Sequence, residues 1–495
     1  MEIALGIVLI LSFFALVYYC IKGHNLMVGF FIMTCIWALI ALVGNCIVPN
    51  EAISNKYGEL GGDVTLWTQS LGVLKNIFQE GPQGYGSSIL VNIFFGAFFG
   101  RILVETNIAS TLIRKVVELG GDKPRIILGL LCIVTSLLFT SMTGIGPVIS
   151  IAVIIVPILL TLGVSAPVTL FAFMGSIMAG IFANMTNFAQ YIGIFGGADL
   201  LSYREYAWLG WTGLVVTLVV VLVISNLVMS FSKTSHAWAA KSPNQLPKVK
   251  MKKGQPVIME PVENMSKIEN APWYSWLSII LPVLLVITLD FPIILAFIVS
   301  GLYALITCRK LNGGFKGICR KLAKLFGDGA IDVAPMIGFL LCLAMFNNSA
   351  NFVAPYFKAI LGDIIPTAGL ALAIVFAIFA PLGFFRGPLN LVGCGAAILA
   401  VLKSTCPNFF DPVTIGGIAD SQLLLSTVTF GFGLFAITTV APQHLDVTQS
   451  WVAWGFGYTK VSTKDYMKMS IPTGWIVCVI MIFVLYFVSL ANGVF

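Results

Sequence analysis

Arg386 is the residue with the sharpest chemical meaning in this chain. It stands within an apolar run, next to Gly387-Pro388 and four residues before Asn390, with no acid nearby in sequence. A charge at membrane depth costs several kcal/mol and normally faces a cavity or a partner. A guanidinium there can hold a carboxylate through two parallel hydrogen bonds. Asp420 is the one carboxylate inside the run 412–441. It is the candidate ion-coupling group for H+ or Na+, or else the counter-ion of Arg386. Arg101 and Glu105 are spaced i,i+4 and read as a local ion pair. Asp328 and Asp332 read as carboxylates near a helix start, where they suit the dipole.

Four polar or glycine-rich interruptions of apolar runs accompany these charges. They are Ser141-Met142-Thr143-Gly144-Ile145-Gly146-Pro147, Asn184-Met185-Thr186-Asn187, Phe385-Arg386-Gly387-Pro388 with Asn390, and Ser426-Thr427-Val428-Thr429 running on to Gly433. Backbone that leaves helical geometry at membrane depth is tolerated only where it is buried in protein or lines a wet cavity. Half-helix N-termini at such places offer positive partial charge to an anion, and freed carbonyls offer oxygens to a cation such as Na+. The candidate substrate-binding set is therefore Ser141, Thr143, Gly144, Gly146, Asn184, Thr186, Asn187, Arg386, Gly387, Asn390, Ser426, Thr427 and Thr429.

The elements that must position these groups are transmembrane helices. Of 495 residues, 58% are hydrophobic and 10% charged, with a mean hydropathy of +0.97. An ordinary soluble domain carries roughly 25% charged residues, so a soluble enzyme, a disordered chain and a nucleic-acid binder are excluded. The net charge of +7 reflects topology, as shown below. Ten cysteines lack any CxxC pair, and three histidines are scattered, so neither a disulfide framework nor a metal site is expected. No cofactor is implied.

The chain reads as a duplication. At an offset of 241, Asn107 falls on Asn348 and Gly146-Pro147 on Gly387-Pro388; at 245, Pro167-Val168-Thr169 falls on Pro412-Val413-Thr414. The first repeat spans 1–231, with a hairpin at 126–162 and an interrupted helix at 166–195. The second spans 272–495, with a hairpin at 367–403 and an interrupted helix at 412–441. Between them, 232–271 is a Lys/Pro-rich linker. If the two hairpins re-enter without crossing, each half crosses five times and the repeats are inverted. The segments 22–25, 108–125, 163–165, 232–271, 309–328 and 444–468 then lie on one side and hold 21 of the 28 Lys and Arg, leaving Lys56, Lys75, Arg101, Arg204, Lys358, Arg386 and Lys403. The positive-inside rule makes that side cytoplasmic. Full crossings by 126–162 would instead strand the seven linker lysines outside. The expectation is an all-α polytopic protein of the cell (inner) membrane, with about ten transmembrane helices, two re-entrant hairpins and two interrupted helices.

Two inverted repeats, each with a re-entrant hairpin and an unwound helix, resemble the ion transporter superfamily, which includes gluconate, citrate, dicarboxylate and lactate permeases. Thr140-Ser141-Met142-Thr143-Gly144 and Phe385-Arg386-Gly387-Pro388 stand where the divalent-anion/sodium symporters carry Ser-Asn-Thr tips, which leaves the coupling ion open. The resemblance implies one central site formed by tips and interruptions, alternating access, and no enzymatic activity. The leading expectation is a secondary transporter that takes up a small organic anion, a carboxylate, coupled to H+ or Na+. A Na+/H+ antiporter on the same scaffold is the alternative, with Asp420 as carrier. The expected partners are the anionic substrate and the lipid bilayer; a homodimer is compatible with such a fold.

Overall fold

In a computed structural model the chain is all-helical. The structure describes residues 1–231 and 270–495 apart from 23, 62, 122, 363 and 364, so the linker expected at 232–271 lies almost wholly outside the described residues. The first half comprises α1 (Glu2–Ile21), α2 (Leu26–Ile47), two short helices (Glu51–Tyr57 and Leu66–Lys75), and, after π-type turns over 76–90, α3 (Val91–Glu105). It continues with α4 (Ile108–Gly120), α5 (Pro124–Phe139), α6 (Ile145–Thr161), α7 (Ala166–Phe182), α8 (Met185–Phe195) and α9 (Tyr203–Phe231). The second half comprises α10 (Leu277–Leu289), α11 (Ile293–Thr307), α12 (Gly314–Leu361), α13 (Gly369–Phe379), α14 (Gly395–Thr405), α15 (Ser421–Leu445), α16 (Ser450–Thr459) and α17 (Thr463–Ala491).

Seven of the described helices are long and apolar enough to cross a membrane, or nine if two bent pairs each count as one span. Those pairs are α3–α4, bent by 55°, and α7–α8, bent by 63°. The protein is thus a multi-pass membrane protein. Ten full-length helices were expected from the sequence. Two of the expected spans, α10 and α11, have 13 and 15 residues and at about 1.5 Å per residue reach only ~20 Å of a ~30 Å hydrocarbon core, while one of the nine, 369–386, falls within the expected hairpin.

Local chemistry sets the breaks. Pro124 and Pro167 sit in the first turns of α5 and α7, where a missing N–H costs nothing. The connection between α5 and α6, where the sequence places the first tip, runs over 140–144 and uses Gly144 at φ +95°, a region open to glycine. The expected hairpin at 367–403 is built from α13, a 3-10 turn over 380–386 and α14. Its tip holds two consecutive non-glycine residues in the left-handed region, Phe385 at φ +57° and Arg386 at +56°. Each costs roughly 1–2 kcal/mol, which only a strongly determined surrounding sustains.

One expected interruption is not where the sequence placed it. The run 426–433 is regular helix inside the 25-residue α15, and the break falls at 446–449, before α16. Two short helices, Pro407–Phe410 and Pro412–Gly416, precede α15, so Pro412-Val413-Thr414 lies ahead of the long helix rather than at its start.

α12 is the spine. It is 48 residues long, about 72 Å at the usual rise. Along it, Asp332, Val333 and Met336 meet one part of the candidate site, Phe339 a second, and Asn347, Asn348 and Asn351 a third.

Candidate functional site

The α7–α8 break frees backbone carbonyls and amides from helical partners, and side chains meet several of them. Tyr206 Oη donates to Phe182 O at 2.9 Å and Tyr203 Oη to Ala183 O at 2.5 Å, capping the end of α7. Asn184 caps α8 by accepting from Thr186 N and Asn187 N, at 2.9 and 3.1 Å. Its amide nitrogen donates to Phe139 O and Met142 O of the first hairpin tip. A single buried asparagine thus fastens one broken helix to one hairpin. Ser141 Oγ donates to Ile279 O of α10 at 2.9 Å, securing the tip from the other side.

The second tip is tied to α15 in an analogous way. Thr438 Oγ1 donates to Leu389 O and Thr439 Oγ1 accepts from Leu391 N, both at 2.9 Å. Asn390 Nδ2 donates to Gly383 O at 3.1 Å and Asn390 Oδ1 accepts from Val392 N. Gly387 lies so close to Leu382 O that a Cβ would collide with it. Arg386 is 7% exposed. Its guanidinium donates to Gln449 Oε1 at 2.5 Å and lies 5.8 Å from the Phe339 ring centre. The carboxylate acting on it is Asp446, also buried, whose oxygens accept from Phe385 N and Thr448 N.

These two assemblies meet. Tyr191 Oη on α8 lies 3.2 Å from Asn187 Oδ1 and 3.5 Å from His444 Nε2. His444 stacks on Trp451 with centroids 5.5 Å apart. Trp451 in turn lines a cavity of about 30 Å³ with Thr143, Gly144, Thr186, Asn187 and Gln190. That volume holds one or two waters. Thr143 Oγ1 and Thr186 Oγ1 are buried, with no hydrogen-bond partner among the described residues. Both lie against the backbone of Gly96, so α3 forms the wall behind them. The chamber is polar where two hydroxyls and two amides face it, and apolar elsewhere.

Ser426, Thr427 and Thr429 do not join this assembly. Thr427 Oγ1 donates within its own helix, to Leu423 O. Seventeen residues of helix separate it from His444, about 25 Å along the axis. Asp420 is exposed at the N-terminus of α15, where its carboxylate accepts from Gln422 N and Leu423 N. It caps a helix, far from Arg386. The polar group missed in the sequence is Gln443, His444, Asp446, Thr448 and Gln449. Its signal was a dense polar stretch at the end of an apolar run.

Arg101 and Glu105 also differ from the expected local pair. Arg101 donates twice to Asp332, at 2.5 Å through both Nε and Nη2, while Glu105 lies 3.7 Å from Lys321. Side chains four apart on α3 compete with partners on α12, and the bidentate cross-helix geometry wins. Asp332 is buried and sits directly on the first turn of α6, where a Cβ on Gly146 would strike its carboxylate oxygens. Glycine at 146 is thus required by close approach, and the anion-favouring half-helix terminus is already occupied by the chain's own carboxylate.

A second, wider cavity of about 300 Å³ lies beside the first, among Glu80, Tyr85, Ile89, Asn347, Asn348, Asn351 and Lys403. Gln190 Nε2 donates to Tyr85 Oη at 3.4 Å. Tyr85 borders the wide cavity and Gln190 the small one, so this contact is their partition. Among the described residues no cluster of His, Cys, Asp and Glu suited to a metal is found.

No protein-family model matches the chain, and no curated protein sequence does. Its fold is similar to that of the YdaH transporter of Alcanivorax borkumensis, whose crystal structure was described as revealing an unusual topology. The TM-score is 0.54 over 94% of this chain and 98% of that one, at 11% identity. The likeness speaks for the fold and does not single out the gluconate or citrate permeases.

Proposed function

We propose that this protein is a secondary transporter that carries a small organic anion, a carboxylate, across the cytoplasmic membrane by alternating access. The observation that supports the reading is the buried, partly polar chamber between the first tip, the α7–α8 break and Trp451 of α16, with Arg386 near enough to act electrostatically on Tyr191 and His444 beside it. Asp332 and Phe339, which touch the first tip and Arg386, are seven residues apart on α12, about 10 Å by helical rise. The Thr143 and Thr186 hydroxyls and the Asn187 amide would receive the substrate's oxygens, and Arg386 its charge. With the cavity closed to about 30 Å³, substrate entry requires the hairpins to move relative to α3 and α12. A transporter-like fold supports such movement.

Coupling falls to a buried carboxylate or to the freed oxygens at the tips. Asp332 and Asp446 are the buried candidates for H+, and the hairpin tips with their hydroxyls the candidate for Na+. The burial of Asp332 also favours a second reading, a Na+/H+ antiporter with that carboxylate as carrier in place of Asp420. Uptake by proteoliposomes of a panel of labelled organic anions, with H+ and Na+ gradients imposed in turn, separates these. Accumulation of an anion under one gradient supports symport. Cation exchange with no anion accumulated supports the antiporter.

A further inference from the structure

The 300 Å³ cavity has a chemical character of its own. Its floor is opened by small residues, among them Gly81, Gly193, Gly196 and Ala400. Lys403 reaches it from α14, with its ammonium beside Gly196 and 5.9 Å from the Phe195 ring centre. Among the described residues that ammonium makes no ion pair. Asp411 is near enough to act on it electrostatically, but its carboxylate accepts from Thr414 N and Oγ1. On the facing wall, α12 presents Asn347, Asn348 and Asn351. Asn348 is held by Asn76, whereas Asn347 Oδ1 is buried without a partner and Asn351 is exposed. Glu80, also in the lining, accepts from Asn76 Nδ2 at 2.8 Å and lies 3.7 Å from the exposed Lys75 ammonium, which offsets part of its charge.

A lone cation opposite a row of amides selects a particular ligand. The ammonium favours a carboxylate. A carboxamide both donates and accepts, and so does a hydroxyl; an apolar chain would bury the amides unpaired, which is the stronger form of discrimination. From this geometry we propose that the cavity is the first binding station of the transport path and takes a hydroxylated carboxylate, with its carboxylate on Lys403 and its hydroxyls on Asn347 and Asn351. The inference rests on the transport reading, because the station matters only if the Tyr85–Gln190 partition beneath it opens to the central chamber.

Three probes of matched ring size separate the two halves of the recognition: quinate, which has carboxylate and hydroxyls, cyclohexanecarboxylate, which has charge alone, and myo-inositol, which has hydroxyls alone. Calorimetric titration of the full chain in nanodiscs should show quinate binding at least about tenfold more tightly than either other probe. Lys403→Gln should reduce quinate to the inositol level. Asn351→Leu should weaken quinate at least about fivefold and leave cyclohexanecarboxylate unchanged. In the unmodified protein, quinate should slow acetylation of Lys403, read by mass spectrometry, a test that needs no variant to fold. Equal affinity for the three probes, no binding of any, or full acetylation of Lys403 under saturating quinate overturns the proposal. If these binding results hold while proteoliposomes accumulate no anion, the transport reading falls and the site stands. If anion uptake is found and Lys403→Gln leaves it unchanged, only the first station falls.

Discussion

Asp332→Asn should destabilise the protein well beyond what a lost surface pair would cost. The carboxylate is 4% exposed and Arg101 27%, and the two share a bidentate pair at 2.5 Å. Removing one member of a fully buried pair costs about 3–5 kcal/mol, because the other charge is left unpaired. Partial exposure lets water recover some of that for Arg101, which brings the expectation to roughly 2–3 kcal/mol. Arg101→Met should cost about as much, by stranding Asp332 on the first turn of α6. The double variant should cost little more than either single one, giving a coupling energy of about 2 kcal/mol. Reversible unfolding in mixed micelles, titrated with a denaturing detergent and followed by tryptophan fluorescence, measures the cycle. Single costs that add to within about 0.5 kcal/mol would refute a clamp joining α3, α12 and the first hairpin.

Gly146→Ala should cost about 1–3 kcal/mol by overpacking against the pinned carboxylate, and most of that loss should disappear in an Asp332→Ala background; the same micelle titration reads both. In proteoliposome uptake, Arg386→Lys should weaken anion affinity by losing the fork that reaches Gln449, and Arg386→Ala should cost 2–5 kcal/mol of binding, as expected for a truncated buried charge partner. Asp420→Ala should lower stability by about 1 kcal/mol through loss of a cap while the ion dependence of uptake stays as it was; a changed ion dependence would return Asp420 to the coupling role.

The sequence exposed the parts of the site that interrupt a regular pattern. Ser141–Pro147, Asn184–Asn187 and Arg386–Pro388 each break an apolar run, and at each of them one helix ends and another begins nearby. What it hid depends on partners distant in sequence. Asp332 reads as an ordinary helix residue until α3 brings Arg101 against it, 231 positions away. Ser426–Thr429 has the composition of a break, yet hydroxyls such as Thr427 Oγ1 bond back to their own helix. The real break at 446–449 was masked because the polar residues after Ala441 read as the start of a loop. Lys403 read as one cation on the outer side, and the glycines that give it a cavity come from two other segments.

The central claim is that a carboxylate is received at membrane depth between both hairpin tips. It is tested most directly by a cryo-electron microscopy map of the protein in nanodiscs, saturated with the anion that proteoliposomes accumulate. The account predicts ligand density bordered by Thr143, Thr186 and Asn187 on one side and by Arg386 and Gln449 on the other. Density for the anion elsewhere, with the Arg386–Gln449 contact unchanged and the chamber still closed, would contradict it.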